Sequence, residues 1–551
     1  MSDFRDNFDR RIIPRWRKST ASAEDNTMQP LRPRAGVVDF SEDVQRVASE
    51  LTEAPTAAIA VEALNIAILA QDKPLEMTAR AILLSERALP AAVQRLIAPA
   101  SSESFTGPVS TRTGDESGAG IRRLRRLLQQ YPKNPLLFLD LARHHAILGN
   151  AKHAEKAAMS ALALAPAHRL VLRSVARYYL NTGDEGRAKA HKLLVGAEVT
   201  RHDPWLIAAE LAISQEAGRS PKYWREAKSF LERRAVPASN LSELASAVGT
   251  FEVLDGQKKR ARKLFELALL APTENTLAQV KWAEQRTTGT FALDQWMGKL
   301  PSADEAISMR AYQENDLETA ARHAQLWYYD EPFSATAAIT ASYVCSMLDD
   351  HDAVLAMMGP ALMSHPDNRC LENNYIFARI SGGRLFDQDE AAAALEIDDL
   401  RLRLMSHIRE RGAHTAHATA NLGLLAYRCG SADEARQVYD FAVNWARDRR
   451  DWFETANALL FHARESILAQ APWAGAVLAE AEEALQRVSS AGLTFYLSKV
   501  KALAKDPHKA AEILCPSNLS GATMIKPRRP TQFEVRKDKD GLLTLILPKK
   551  T

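Results

Sequence analysis

The stretch 135–166, PLLFLDLARHHAILGNAKHAEKAAMSALALAP, decides the fold class. Its apolar residues recur three and four apart, the spacing of a helix face, and Gly149 divides it into two helix-length halves. With Pro135 as the first position of a 34-residue frame, Phe138 falls at 4, Leu141 and Ala142 at 7 and 8, and Gly149 at 15. Ala154, Ala158, Ala161 and Pro166 then take positions 20, 24, 27 and 32. Small side chains at 8, 20 and 27 let two antiparallel helices approach closely, and the larger residue at 4 fills the space between them. The Gly ends the first helix and the Pro ends the second.

The frame recurs. Moving on by 34 puts Val175 and Ala176 at 7 and 8, Tyr179 at 11, Gly183 at 15 and Ala188 at 20. Leu244, Ala245, Ala261, Phe265, Ala268 and Pro272 fit with a longer inter-helix turn, and Pro332 and Pro366 bracket another unit. Leu422, Gly423, Gly430, Ala435, Tyr439 and Ala442 fall at 7, 8, 15, 20, 24 and 27 of a late one. The pattern resembles the tetratricopeptide repeat (TPR) family, clearly over 121–200 and 414–450 and in degenerate form elsewhere. The resemblance implies an all-α fold, a TPR-like solenoid of helical hairpins whose first helices line a concave groove.

In that family positions 2, 5, 6, 9, 12 and 13 of the first helix tend to face the groove. Here the resemblance places Leu136, Leu139, Asp140 and Arg143 there in one unit, and Arg173, Arg177 and Asn181 in the next. His417, Asn421, Tyr427 and Arg428 hold the matching places in the late unit. Arg143 and Arg177 occupy the same position in successive repeats and with Arg173 would form a basic ladder for carboxylates or phosphates. The alternative is that these arginines pair with Asp140 or with neighbouring helices. The Lys and Asn set with which some TPR proteins grip a partner's C-terminal carboxylate is absent, since Leu139 and Arg143 stand in its places.

Around this array the chain divides by composition. Residues 1–35 are a basic, irregular N-terminal arm and 36–97 a helical region of three or four helices. Fourteen of the 23 residues of 98–120 are Ser, Thr, Gly or Pro, which reads as a flexible linker. TPR-like repeats follow over 121–384, an irregular or inserted helical segment over 385–413, and further repeats over 414–515. The segment 516–551 is a basic tail in which 532–535 and 542–547 predict a short β-hairpin turning at Asp540-Gly541.

The net charge of +3 is unevenly placed. Residues 1–34 carry eight Lys/Arg against five Asp/Glu, and 526–551 carry eight against three, so the 491 residues between them are mildly acidic. Arg11, Arg15 and Arg17 surround Trp16, a combination suited to an acidic protein groove or to nucleic acid. The clusters 122–126 and 258–263 interleave cations with Leu or Ala and read as exposed helix faces.

No phosphate loop, dinucleotide fingerprint, nucleophile elbow or zinc-protease motif occurs. His144-His145 and His414/His417 lack a third ligand, and the four cysteines form no CxxC pair. No cofactor and no metal are expected. Nothing resembles a secretory leader or a membrane span, so the expected setting is cytoplasmic. The leading expectation is a non-catalytic scaffold or adaptor that binds a partner protein through its groove and basic arms. The alternative is a nucleic-acid-associated regulatory subunit, and pairing with a bacterial effector is compatible with both.

Overall fold

The computed structural model describes residues 41–85 except 71, residues 113–514 apart from 234–235, 285, 288–289, 301–302, 383–384 and 386–388, and the segments 534–537 and 543–546. Across these residues the protein is nearly all helical. No described helix is long and apolar enough to cross a membrane. The expected contacts of Arg11, Arg15, Trp16 and Arg17 lie outside the described residues.

The first described helices are α1 (Ser41–Glu53), α2 (Ala57–Ala70) and α3 (Lys73–Ser85). Val47, Leu64, Ala67, Ala79 and Leu83 form a core of their own there. Next comes α4 (Thr113–Gln130), so residues 113–120, expected to belong to the linker, are helical instead. The small residues serve packing: a Cβ on Gly120 would lie 2.6 Å from the imidazole of His144.

Helices then follow one another almost without interruption. They are α5 (Pro135–Ile147), α6 (Ala151–Leu164), α7 (Arg169–Leu180), α8 (Gly183–Gly196), α9 (Pro204–Glu216), α10 (Trp224–Arg233), α11 (Ala238–Leu254), α12 (Lys258–Ala268) and α13 (Glu274–Glu284). After the short α14 (Asp294–Met297) come α15 (Asp304–Gln313), α16 (Leu317–Asp330), α17 (Ala335–Met347), α18 (His351–Ser364) and α19 (Arg369–Ser381). The expected irregular or inserted segment contains one long helix, α20 (Glu390–Arg409). The run ends with α21 (Thr415–Arg428), α22 (Ala432–Asp448), α23 (Trp452–Leu468), α24 (Ala474–Leu485), α25 (Ala491–Lys505) and α26 (Ala510–Leu514).

Helices that adjoin in sequence pack as pairs, among them α5 with α6, α11 with α12, α15 with α16, and α21 with α22. A second set of contacts links alternate helices: α5, α7, α9, α11, α13 and α15 each lie against the next, as do α17, α19, α21, α23 and α25. Local chemistry sets the period. Asn134, Asp203, Ser334 and Asn368 accept hydrogen bonds from the first free amides of α5, α9, α17 and α19. A residue of positive φ recurs between paired helices at Gly149, Gly183, Gly256, Asn315, Asp349 and Gly430. The expected small residues Ala142, Ala154, Ala158 and Ala161 are buried. One expected position slips: Ala188 is exposed, and Gly186 and Ala190 are the buried small residues of α8.

Contacts at long range fold each end of this run onto its middle. α18 packs on α5, and α25 packs on α15 and α17. Phe333 contributes to the core formed by residues of the first helices, such as Leu172 and Leu206. At the C-terminus β1 (Glu534–Lys537) and β2 (Leu543–Ile546) pair antiparallel, with Val535 opposite Leu545. β1 rests on α22, and Val535 packs against the main core.

Candidate functional site

The residues expected to line a basic groove are spent inside the protein. The Arg143 guanidinium donates to the carbonyl of Asp330 at 2.6 Å. Arg177 grips Glu331 through two bonds of 2.8 and 2.7 Å, and the Glu331 side chain is wholly buried. Burial works against the Arg177 cation, but Glu331 outweighs it and its pKa is raised. Arg173 is buried with its guanidinium 4.3 Å above the Trp205 ring. Burial lowers its pKa to about 10, against the attraction of Glu243. Asn181 closes α7 by donating to the Arg177 carbonyl at 3.0 Å.

The late unit behaves alike. The Tyr427 hydroxyl lies 3.0 Å from Ser466 Oγ, from His462 Nε2 and from Trp473 Nε1, which donates to it. Arg428 pairs with Glu465 at 2.7 Å. The open basic ladder is therefore corrected to a set of internal struts. Asp330 and Glu331 arrive from the end of α16, far away in sequence, when the helix run closes on α5 and α7.

A second polar centre joins α18, α23 and α25. Asp349 accepts from Tyr496 Oη at 2.8 Å, from Lys499 Nζ at 2.5 Å and from Arg464 Nη1 at 3.4 Å. Arg464 also reaches Glu465 at 2.6 Å, Tyr496 at 2.7 Å and Ser381 at 3.2 Å. Charge and hydrogen bonds are mutually satisfied here, which suits stability and leaves no group poised for chemistry.

No group of three His, Cys, Asp or Glu side chains able to hold a metal occurs among the described residues. His145 stacks on His153, and burial lowers its pKa. His417 lies 2.8 Å from Glu454, beside a cavity of about 20 Å³ lined also by Asn421 and Asn457. That space is sufficient for a water molecule and not for a substrate. Cys345, Cys370 and Cys429 are buried, and burial pushes the Cys429 thiol up to about 12, far from a reactive thiolate.

A recess lies where α10, α11 and the start of α12 meet. This recess of about 620 Å³ is lined by Trp224, Lys228, Phe251, Glu252, Asp255, Gln257 and Arg260, with Ser220 and Pro221 at its edge. Trp224 and Phe251 form the aromatic floor, ring centres 5.4 Å apart and inclined by 57°. Lys228 Nζ stands 4.9 Å from the Trp224 ring. The Glu252 side chain lines the recess, and the residue is 8% exposed with no side-chain hydrogen-bonding partner among the described residues. Lys258, Lys259 and Arg260, all exposed, open α12, whose Gln257 cap makes no side-chain bond to the free amides. Sequence reasoning had only the cationic half of this site, read as an exposed helix face.

No family model matches this chain, and no curated protein matches it.

Proposed function

We propose that the chain is a non-catalytic, TPR-like helical-repeat adaptor that binds a partner protein on its outer surface instead of in a basic groove. The observation that carries this reading is α20. Leu395 is 75% exposed and Leu402 54% exposed, seven residues apart and so on one helix face. Two large apolar side chains held in water on a helix otherwise anchored by Ile397, Leu400 and Leu404 suit a docking stripe. Met77 and Leu84 repeat the device on α3 with the same spacing. The pairing of adjoining helices, the recurring positive-φ residue and the contacts between alternate helices all support the repeat reading.

The experiment is affinity capture from native extract with the full chain and with the double variant L395D/L402D. The parent retains a protein that the variant loses while melting at the parent's temperature. Equal retention by both would reject α20 as the contact. The second reading, a nucleic-acid-associated subunit, rests on the aromatic and cationic recess.

A further inference from the structure

Glu252 sets the terms for whatever fills the recess. Its carboxylate lines an open recess with no protein donor beside it among the described residues, so a ligand offering N–H groups meets an acceptor that only water serves. Its neighbour Phe251 and the facing Trp224 call for a flat, polarisable group in the same place. Lys228, Lys258, Lys259 and Arg260, none of which has a carboxylate within ion-pairing distance among the described residues, call for an anion a few ångströms further out.

One chemical class meets all three demands. Guanine is planar and carries two adjacent donors, N1–H and the N2 amine, which match the two oxygens of a carboxylate. Adenine and cytosine each offer one amine beside an acceptor nitrogen, and uracil sets its single N–H between two carbonyls, so each would turn a lone pair toward Glu252. An acidic peptide would satisfy the lysines and arginine but would bring a like charge to Glu252. We propose that this recess binds guanine nucleotides: the base on Trp224 and Phe251 with its donor edge on Glu252, and the phosphate on Arg260 and the first turn of α12. The macrodipole of α12 adds to the pull on that phosphate, whereas three successive cations at its start are unfavourable when no anion is present. The volume is of the order that houses a small ligand. The same chemistry is offered by a free nucleotide and by a guanine within single-stranded nucleic acid.

The test uses the full chain and calorimetry at low salt. Probes are GMP, AMP, CMP and UMP, and the pentanucleotide RNAs UUGUU and UUAUU. The guanine member of each set is expected to bind at least about tenfold tighter than its adenine counterpart, the discrimination of one good bidentate base contact. E252Q is expected to bring the two within about threefold of each other, and R260A to weaken both equally by removing a phosphate contact and flattening the salt dependence. Glu252 makes no internal bond, so E252Q is expected to melt like the parent. Should it melt lower, the ranking of bases by the parent and the uniform loss in R260A still decide.

Binding of UUGUU without GMP would assign the site to nucleic acid, and binding of GMP alone would assign it to the free nucleotide. Equal affinity for guanine and adenine, no binding at millimolar concentration, or displacement of the guanine probe by a hexaglutamate peptide would overturn the proposal. The last result would return the recess to a protein partner. None of these outcomes bears on α20, so the adaptor reading stands or falls separately.

Discussion

Arg464 is 1% exposed, yet it meets Asp349, Glu465, Tyr496 and Ser381. A buried cation of this kind is stable only in company, and its two acids each share a second cation, Lys499 for Asp349 and Arg428 for Glu465. Arg464→Met keeps the bulk of the side chain but leaves Asp349 to Lys499 and Glu465 to Arg428 alone, so a loss of about 3 kcal/mol, the low end for a broken buried pair, is expected, read as a lower urea midpoint. Asp349 adds a backbone demand, since it holds φ at 60° in the turn before α18. Asn tolerates that conformation as well as Asp does but cannot attract Lys499 or Arg464. Asp349→Asn therefore separates the charge from the turn.

Two histidines in the same region titrate far from their usual range. Burial lowers His351 to about 4, with Asp349 opposing the shift, and burial lowers His462 to about 3, with Arg436 adding to it. His462 stacks on Tyr439 with ring centres 4.7 Å apart, which leaves little room for a hydration shell. The unfolded chain takes up protons near pH 6.5, whereas these folded imidazoles stay neutral until about pH 4 and 3. Stability from this source is complete above about pH 7 and declines as pH falls through that window. The melting temperature is expected to drop between pH 7 and 4, and His462→Gln is expected to flatten the slope. An unchanged slope in the variant would remove His462 from the account.

At the scale of elements, the close approach of paired helices rests on single small residues. A Cβ on Gly423 would lie 2.6 Å from the Tyr439 ring, so Gly423→Ala forces α21 from α22 and is expected to cost about 1–3 kcal/mol. Gly196 at the end of α8 has nothing within 4 Å, and Gly196→Ala is expected to stabilise by about 0.4–1 kcal/mol. Paired thermal melts that shift the same way would contradict the packing argument.

These elements also explain what could be read beforehand. Units whose turn carries Gly149, Gly183 or Gly430 announce themselves, because glycine enters positive φ at least cost. The unit starting near 300 has Asn315 at its turn and the unit bracketed by Pro332 and Pro366 has Asp349, 34 residues on in the same conformation, and neither residue looks like a repeat marker in isolation. The helix at 113–120 was obscured by Ser and Gly, whose use there is close packing. The recess was illegible for another reason. Trp224, Glu252 and Arg260 come from three helices, and only folding reveals that an acid, an indole and a guanidinium share one hollow.

At the scale of the whole molecule, the decisive contacts join segments that composition cannot relate. Arg177 meets Glu331, Ser364 Oγ donates to the carbonyls of Ala146 and Ile147 at 3.1 and 3.0 Å, and Gly149 admits the Met363 carbonyl where a Cβ would have no space. Two accounts of Arg177 now compete on a measurable quantity. As a groove residue waiting for a ligand it would contribute little to the empty protein, and Arg177→Met would leave stability and shape unchanged. As a strut it neutralises a carboxylate that has no access to water, so its loss is expected to cost about 3–5 kcal/mol. The cost falls on the contact between α5, α7 and α16, so the helix run should open there before it unfolds. Small-angle scattering is expected to give a larger radius of gyration for Arg177→Met than for the parent, with Arg225→Met, an exposed change on α10, behaving like the parent. An unaltered radius with unaltered stability would restore Arg177 to the groove, and with it the basic ladder.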